Sequence, residues 1–238
     1  MLSFIVPAYN EEQSLVATVE ALHQAGQALG EPYEVIVADD GSTDQTAAVA
    51  VQLGAVVVSA THRQIAATRN SGARVARGDF LIFVDADTVV NTEVVRAAVD
   101  AMRGGSVGGG AGMLFDEPTP LFARLALRFI VWVFRALGLA TGCFLFCTRT
   151  AFDAVGGFDE KYYGAEELVM SRALKLQGNF VILKQTVTTS ARKLRIYSTW
   201  ETFVFMTRMA MRGTKALKQR EGMEFWYAEQ RRNDHSKK

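Results

Sequence analysis

Residues 80–90 read Phe-Leu-Ile-Phe-Val-Asp-Ala-Asp-Thr-Val-Val, an apolar run that ends in two carboxylates. Five consecutive apolar residues before a polar group indicate a buried strand, which we predict at Phe80–Val84. On extended backbone Asp85 and Asp87 project to the same side, so they can share one divalent cation such as Mg²⁺ or Mn²⁺. An acidic loop that binds nothing is the other interpretation, and the remaining sequence decides between the two.

Three earlier apolar runs predict strands of the same kind, at Phe4–Ala8, Glu34–Ala38 and Ala55–Ser59. Helices are predicted between the strands: after Asn10, which has the spacing of a capping residue, over Asp44–Leu53 and over Gln64–Ala76. Continuous apolar strands that alternate with helices are typical of a parallel sheet covered on both faces. The sequence therefore predicts an α/β fold with a Rossmann-type, mostly parallel central sheet.

Polar residues follow three of these strands at their carboxyl ends. In a parallel sheet these ends share one edge, and ligands bind outside that edge. We therefore expect one site that contains Tyr9, Asn10, Glu11, Asp39, Asp40, Asp85, Ala86 and Asp87.

The pattern after residue 90 is less regular. Helices are predicted over Asn91–Met102, Pro120–Leu137, Glu166–Leu176 and Thr199–Lys218. Strands are predicted within residues 104–115 and over Gly142–Cys147, Phe180–Leu183 and Val187–Thr189.

Composition restricts the class of protein. Of 238 residues, 49% are hydrophobic and 21% charged, which excludes a disordered chain and fits a single large domain. The net charge of +1 gives no reason to expect nucleic acid as a partner. Two cysteines are too few for a disulfide framework, and the N-terminus lacks the basic region of a signal peptide, so we predict a cytoplasmic protein.

The predicted helix over residues 120–137 is amphipathic. Its arginines, Arg124, Arg128 and Arg135, lie on one side and argue against a membrane-spanning helix. Residues 192–238 add 12 Lys or Arg against 5 Asp or Glu. Such a helix covers core, forms a homodimer contact or lies on a membrane surface, and the basic end favours an anionic partner or peripheral membrane contact.

Four segments in order resemble the family 2 glycosyltransferases of the GT-A fold. They are FIVPAYNEE (4–12), VIVADDGSTDQT (35–46), ATRNSGARVARGDFLIFVDADT (67–88) and AFDAVGGFDEKYYGAEELVMSRALKLQG (151–178). The resemblance implies a glycosyltransferase domain at residues 1–192, with a nucleotide-binding half at 1–90 and an acceptor half at 91–192. Residues 193–238 are then a basic helical extension of the same domain.

The resemblance implies that a nucleoside diphosphate sugar, of the UDP or GDP type, binds at the expected edge. Asp40 would accept a hydrogen bond from the nucleobase, and Asp39 would contact the nucleotide or orient the turn. Arg69 would pair with the diphosphate or with a carboxylate of the same edge, and Arg192 would reach the diphosphate or be a surface charge. The base pocket would be lined by Pro7, Ala8 and Tyr9.

The resemblance also implies that Asp87 binds a Mg²⁺ or Mn²⁺ ion that bridges the two phosphates, while Asp85 contacts the ion or the ribose. The general base of an inverting transfer would come from the pair Glu166 and Glu167, with Glu167 at the position where the family usually has aspartate. Acids favoured at a helix start are the other interpretation of this pair. The acceptor is not identified, and a lipid-linked one would suit membrane contact.

Two other functions fit parts of the sequence. The run that ends in Asp85 and Asp87 matches the motif of haloacid-dehalogenase-like phosphatases, although that motif usually opens the domain and here follows the fourth predicted strand. A non-catalytic nucleotide-binding or scaffold protein of the GT-A fold would tolerate Glu167 in place of aspartate. A nucleotidyltransferase is disfavoured because no glycine-rich basic loop follows the first strand.

Overall fold

The computed structural model describes residues 1–116, 132 and 135–192. Eight strands form one sheet in the order β3-β2-β1-β4-β7-β6-β8-β5. The strands are β1 (Leu2–Ala8), β2 (Tyr33–Asp39), β3 (Val56–Ser59), β4 (Phe80–Val84), β5 (Thr88–Val89), β6 (Gly108–Phe115), β7 (Phe144–Thr148) and β8 (Phe180–Thr189).

Six helices cover the sheet within the described ranges. They are α1 (Leu15–Leu29), α2 (Thr46–Gln52), α3 (Ile65–Val75), α4 (Thr92–Arg103), α5 (Arg149–Val155) and α6 (Glu166–Lys175). The predicted helix at Thr199–Lys218, and most of the one at Pro120–Leu137, lie outside the described residues.

Strands β1 to β4 form the parallel half of the sheet. β1 lies at its centre, between β2 and β4, and β2 pairs in parallel with β3. The register places Ala8 beside Asp39, so the polar residues after β1 and β2 emerge at the same edge. The predicted α/β class is confirmed for this half.

The other half of the sheet is mixed. β7 is antiparallel to both β4 and β6, and β8 is parallel to β6. Val84 pairs with Phe144, and the amide of Asp85 donates to the carbonyl of Cys143 over 3.3 Å. The turn that precedes β7 therefore lies beside the carboxylates that follow β4. One continuous β8 replaces the two short strands predicted at Phe180–Leu183 and Val187–Thr189.

Alternate side chains of the strands enter two separate cores. Phe4 and Val6 of β1 contact the core beneath α1 and α4, whereas Ile5 contacts the core beneath α3, α5 and α6. This period of two is what a sheet with helices on both faces requires. No helix among the described residues is long and apolar enough to cross a membrane.

A close approach at Gly72 fixes the height of α3 above β1. A Cβ atom at this position would lie 2.6 Å from Cγ2 of Ile5. Glycine is therefore required here because any side chain would push the helix away from the strand. Arg69 lies one turn before Gly72, so the same contact sets the position of its guanidinium.

Candidate active site

The loops after β1 and β2 are tied to each other. The amide of Asn10 donates to Oγ of Ser42 over 2.9 Å, and Oδ1 of Asn10 accepts from the amide of Thr43 over 2.8 Å. The amide of Glu11 donates to Oγ1 of Thr46 over 2.8 Å. Asn10 has a φ of 54° and is not the cap of α1, because its side chain is used to hold the neighbouring loop.

Asp40 is buried and saturated by hydrogen bonds from the start of α3. Its two oxygens accept from the amides of His62, Arg63 and Gln64 over 2.6–3.0 Å. Oγ1 of Thr68 donates to it over 2.8 Å. The carboxylate thereby anchors the N-terminus of α3, and these four hydrogen bonds disfavour the contact of Asp40 with a nucleobase, which stays a prediction.

Asp39 has the opposite character. Its Oδ1 atom is buried and has no hydrogen-bond partner within the described part of the chain, and Oδ2 accepts only from the amide of Ser42, over 3.4 Å. A buried acceptor without a donor costs about 1–3 kcal/mol, so such atoms are usually completed by a ligand or water. Asp39, rather than Asp40, is therefore the acceptor that can meet an N–H group of a ligand.

Tyr9 extends the site beyond Pro7 and Ala8, which are the last two residues of β1. The guanidinium carbon of Arg63 lies 3.6 Å from the centre of the Tyr9 ring, a cation–π contact. Arg63 has a φ of 51° and was not identified from the sequence. Its position in the turn after β3 was the only signal for it.

Arg69 is a buried junction between three parts of the chain. Its guanidinium donates to Glu166 over 2.6 Å, to Asp85 over 2.8 Å and to the carbonyl of Gly142 over 2.9 Å. Burial works against the charge, but the carboxylates of Asp85, Glu166 and Glu167 outweigh it and raise the pKa of Arg69. Of the two kinds of partner expected for Arg69, a diphosphate or a carboxylate of the same edge, the structure shows Arg69 bound to carboxylates.

The carboxylates after β4 have a donor set that suits a hard cation. One oxygen of Asp85 accepts a hydrogen bond from Arg69, and both Asp85 and Asp87 are partly exposed. Among the residues that the structure describes, no group of three or more His, Cys, Asp or Glu could hold a metal ion. Mg²⁺ and Mn²⁺ commonly bind one or two carboxylates and take their remaining ligands from phosphate and water. The residues present fit a cation that is shared with a bound diphosphate.

Ala86 and Ser190 fix the backbone between and beside these carboxylates. Ala86 is buried, and its carbonyl accepts from Oγ1 of Thr18 over 2.9 Å. The carbonyl of Asp87 accepts from the amide of Ser190 over 3.1 Å. The small side chain of Ala86 points into the core. The predicted contact of Ala86 with a nucleotide can therefore involve only its backbone atoms.

Glu166 and Glu167 begin α6 but have different environments. Glu166 is buried and paired with Arg69, so its carboxylate supports the site. The carboxyl group of Glu167 lies over Gly142, where an added Cβ atom would be 3.3 Å from its carboxyl carbon. Ala165, just before them, has a left-handed φ of 55°, a conformation that costs free energy in a residue with a side chain.

The environment of Glu167 favours its neutral form. Burial of the carboxyl group and the negative charge of Glu166 raise its pKa to about 8, and the positive charge of Arg69 offsets only part of this shift. A carboxyl group with a pKa near neutrality has the property expected of a general acid or base.

Asn70 of α3 and Gln64, the residue just before this helix, hold the loop that precedes α6. Asn70 forms a reciprocal pair with the backbone of Phe158, both hydrogen bonds being 2.9 Å long. Nε2 of Gln64 donates to the carbonyl of Tyr162 over 3.2 Å. Neither residue could be identified from the sequence, because an asparagine or a glutamine in a predicted helix does not indicate a long-range contact.

Arg192 lies beside the first loop of the edge. Its guanidinium donates to both oxygens of Glu11, over 2.6 and 2.8 Å. The same group reaches Oγ of Ser14 over 3.4 Å. The structure thus brings the predicted residues Glu11 and Arg192 together as an ion pair that joins the end of β8 to the loop after β1.

The sequence of the chain matches a known protein family. The family model for glycosyl transferase family 2 matches residues 3–152. The chain belongs to this family. Membership argues against the haloacid-dehalogenase-like phosphatase, and the pairing of Asp85 with Arg69 does not suit the free nucleophile that such a phosphatase needs.

One relative of this family 2 glycosyltransferase is named undecaprenyl-phosphate 4-deoxy-4-formamido-L-arabinose transferase, from Pectobacterium carotovorum. It is 31% identical over 143 residues, which cover 56% of this chain and 43% of the relative. The chain therefore spans less than half the length of this relative.

Two solved structures share the fold. A mannosyltransferase from Pyrobaculum calidifontis, in complex with GDP-Man and Mn²⁺, superposes with a TM-score of 0.67 at 19% identity, over 89% of this chain and 64% of its own. The Mycobacterium tuberculosis glucosyl-3-phosphoglycerate synthase, in complex with Mn²⁺ and UDP, superposes with a TM-score of 0.57 at 20% identity. The match covers 92% of this chain and 80% of the synthase. The predicted GT-A fold is confirmed.

Proposed function

We propose that this glycosyltransferase transfers a sugar from a nucleoside diphosphate donor to an acceptor hydroxyl, with inversion at the anomeric carbon. The observation that carries the proposal is the junction at Arg69. By binding both Asp85 and Glu166, this side chain holds the end of β4 against the start of α6. A diphosphate beside Asp85 and Asp87 would then lie in the same cleft as the carboxyl group of Glu167.

The nucleobase is proposed to bind beside Tyr9 and Asp39. The unpartnered Oδ1 of Asp39 needs an N–H donor, which uracil, thymine and guanine carry on the ring. Adenine and cytosine have no ring N–H on their recognition edge in the neutral form. The GDP-Man and UDP complexes of the two structural relatives support this choice.

We propose that Asp87, with the free oxygen of Asp85, holds a Mg²⁺ or Mn²⁺ ion. When bound, such an ion neutralises the negative charge that grows on the leaving diphosphate. The Mn²⁺ ions in the two structural relatives support a divalent cation. Arg69 is a poor substitute for this ion, because its side chain is buried and its two terminal nitrogens already donate to Asp85, Glu166 and Gly142.

Glu167 is proposed to be the general base. The acceptor oxygen forms a bond to the anomeric carbon while the bond from that carbon to the diphosphate oxygen breaks, and the hydroxyl proton passes to the carboxylate of Glu167. The raised pKa makes Glu167 a stronger base than an ordinary glutamate. A phosphate acceptor would be ionised already and would need no base.

The division of labour along the chain is also proposed. Residues 1–90 contain the elements around Asp39 and Tyr9 and would bind the nucleotide, whereas residues 91–192 contain α6 and would bind the acceptor. The undecaprenyl phosphate in the name of the relative from Pectobacterium carotovorum supports an acceptor carried by a membrane lipid, whereas the reacting group proposed here is a hydroxyl.

The test is donor turnover by the full chain. A panel of UDP-, GDP- and dTDP-sugars is incubated with Mn²⁺ or with EDTA, and release of the nucleoside diphosphate is measured. We expect release from one UDP- or GDP-sugar, dependent on Mn²⁺ and abolished by Asp87→Ala. Nucleotide binding without any release, with or without added acceptors, would instead favour the non-catalytic nucleotide-binding protein.

A further inference from the structure

Apolar side chains are exposed where the C-terminus of α6 meets the segment before β7. Leu176 is 85% exposed, Trp132 63% and Leu137 57%. The ammonium group of Lys175 donates to the carbonyl of Leu137, which holds this segment against α6. The guanidinium of Arg135 donates to the carbonyl of Leu183 in β8. We define the apolar–basic face as residues 132, 135–138, 172–176 and 183–184.

The charge on this face has one sign. Arg135, Arg172, Lys175 and Lys184 are all exposed. Residues 135–138 and 170–185 contain no Asp or Glu. Exposed leucine and tryptophan beside basic side chains are the composition of a surface that enters the interface of an anionic bilayer.

Other occupants of the face fit less well. Residues 193–238 carry 11 Lys or Arg against 5 Asp or Glu, so their charge does not complement that of the face. A second copy related by a two-fold axis would bring the same cations of both copies together. The occupant that complements the face is negatively charged and accepts apolar side chains.

We propose that the apolar–basic face docks on a bilayer that contains anionic phospholipids. Leu176, Leu137 and Trp132 enter the interface, while the four cations meet lipid phosphate groups. The inference deepens the proposed function, on which it rests for its purpose, because a docked face would present the site to an acceptor carried by the membrane.

The site lies within reach of this face along two connected segments. Glu167 and Leu176 are at opposite ends of α6, about 13 Å apart by the rise of an α-helix. The segment that begins at Leu137 leads to Gly142, whose Cα lies beneath the carboxyl group of Glu167. An acceptor whose reactive group stands above the lipid phosphates would therefore reach Glu167 without leaving the membrane.

The experiment is flotation of the full chain with two kinds of vesicle, one of phosphatidylcholine alone and one that also contains phosphatidylglycerol. We expect binding to the anionic vesicles, little binding to the neutral ones, and loss of binding as salt is raised. Equal binding to both kinds, or binding to neither, would overturn the proposal.

Variants then test whether this face is responsible. Arg172→Gln with Lys184→Gln should weaken binding to anionic vesicles on the order of 30-fold, and Leu176→Ser about 10-fold. The control is Arg96→Gln with Arg103→Gln, which removes two exposed cations from α4 and should bind as the unchanged chain does. Undiminished binding by the face variants would assign the attraction to another part of the chain and overturn the proposal.

Two further measurements distinguish membrane docking from dimer formation and from the proposed function. Light scattering without vesicles tests for a dimer. A dimer that Leu176→Ser dissociates would show that the face binds a second copy of the chain, and would overturn membrane docking. Release of nucleoside diphosphate without vesicles should be equal in all these variants. Vesicle binding without any such release would leave the docking face intact and count against the proposed function alone.

Discussion

At the scale of single residues, Gly142 leaves room for a glutamate at the position where the family resemblance implies aspartate. The missing side chain at Gly142 leaves the space that the longer side chain of Glu167 uses, with only 3.3 Å between a hypothetical Cβ and the carboxyl carbon. The carbonyl of the same residue accepts from Arg69. One glycine therefore positions both the proposed base and the junction behind it.

This contact predicts that substitutions at the two positions are coupled. Gly142→Ala should displace the carboxylate by a few tenths of an ångström and lower kcat about 10-fold, and Glu167→Asp should lower it on the order of 100-fold. Because the shorter aspartate no longer touches position 142, the double variant should be no slower than Glu167→Asp alone. Steady-state kinetics at saturating donor checks this, and losses that multiply would show that the two residues act independently.

The adjacent aspartates Asp39 and Asp40 should respond differently to the same change. Asp40→Asn removes charge-assisted hydrogen bonds at the start of α3 and should lower the free energy of unfolding by about 2–3 kcal/mol, measured in urea. Asp39→Asn should leave stability nearly unchanged and weaken binding of the matching nucleoside diphosphate at least 10-fold, measured by calorimetry. Equal effects of both variants on stability would remove the argument for Asp39 as the nucleobase acceptor.

The sequence alone does not distinguish these two aspartates. Successive residues at a strand end point to opposite sides, and only the position of α3 decides which carboxylate is saturated. The contact between Arg63 and Tyr9 is hidden for the same reason, since it depends on a turn whose backbone has a positive φ. The chemistry of the edge was predictable from residue types, whereas the assignment of each atom was not.

The raised pKa of Glu167 predicts a pH-dependent cost to stability. The unfolded chain ionises this group near its ordinary pKa of 4.5, and the folded chain only near 8, so ionisation opposes folding increasingly across this range. Glu167→Gln should therefore leave Tm unchanged below pH 4.5 and raise it progressively up to about pH 8, after which the gain is constant. The control is Glu93→Gln, in the first turn of α4, which should give no such rise in Tm.

At the scale of elements, β1 to β4 could be predicted from their apolar runs because buried parallel strands tolerate no polar interruption. The prediction fails where pairing depends on distant residues. The two residues of β5 form a strand only because β8 lies beside them, and the residues between Leu183 and Val187 stay extended through the irregular pairing of β8 with β6. The antiparallel direction of β7 likewise follows from the path of the chain and not from its own composition.

Helix α3 offers a test of how an element positions the site. Gly72→Ala places a methyl group within 2.6 Å of Cγ2 of Ile5, so α3 must move away from β1 at a cost of about 1–3 kcal/mol. Because Arg69 moves with the helix, kcat should also fall. Urea unfolding and kinetics measure the two effects. Gly104→Ala, at the exposed residue that follows α4, is the control, and an equal loss there would show that replacing a glycine, not this contact, determines the result.

At the scale of the whole molecule, one sheet combines a parallel half that ends in the proposed nucleotide site with a mixed half that supplies the proposed base. The two cores on its faces are continuous across both halves. Arg69 is the polar link between the halves, and its hydrogen bonds reach from α3 to the ends of β4 and the beginning of α6. The proposed activity therefore relies on a buried charge cluster that also contributes to holding the fold together.

Removing this link should show that dependence directly. Arg69→Gln leaves the carboxylates of Asp85 and Glu166 without their cation, and loss of one partner from a buried pair costs about 3–5 kcal/mol. Arg103→Gln, which breaks the exposed pair with Glu31, is the matched control and should cost at most about 1 kcal/mol. If urea unfolding gives the two variants similar losses at pH 8, the junction at Arg69 does not hold the two halves of the sheet together, and the proposed alignment of diphosphate and base must have another cause.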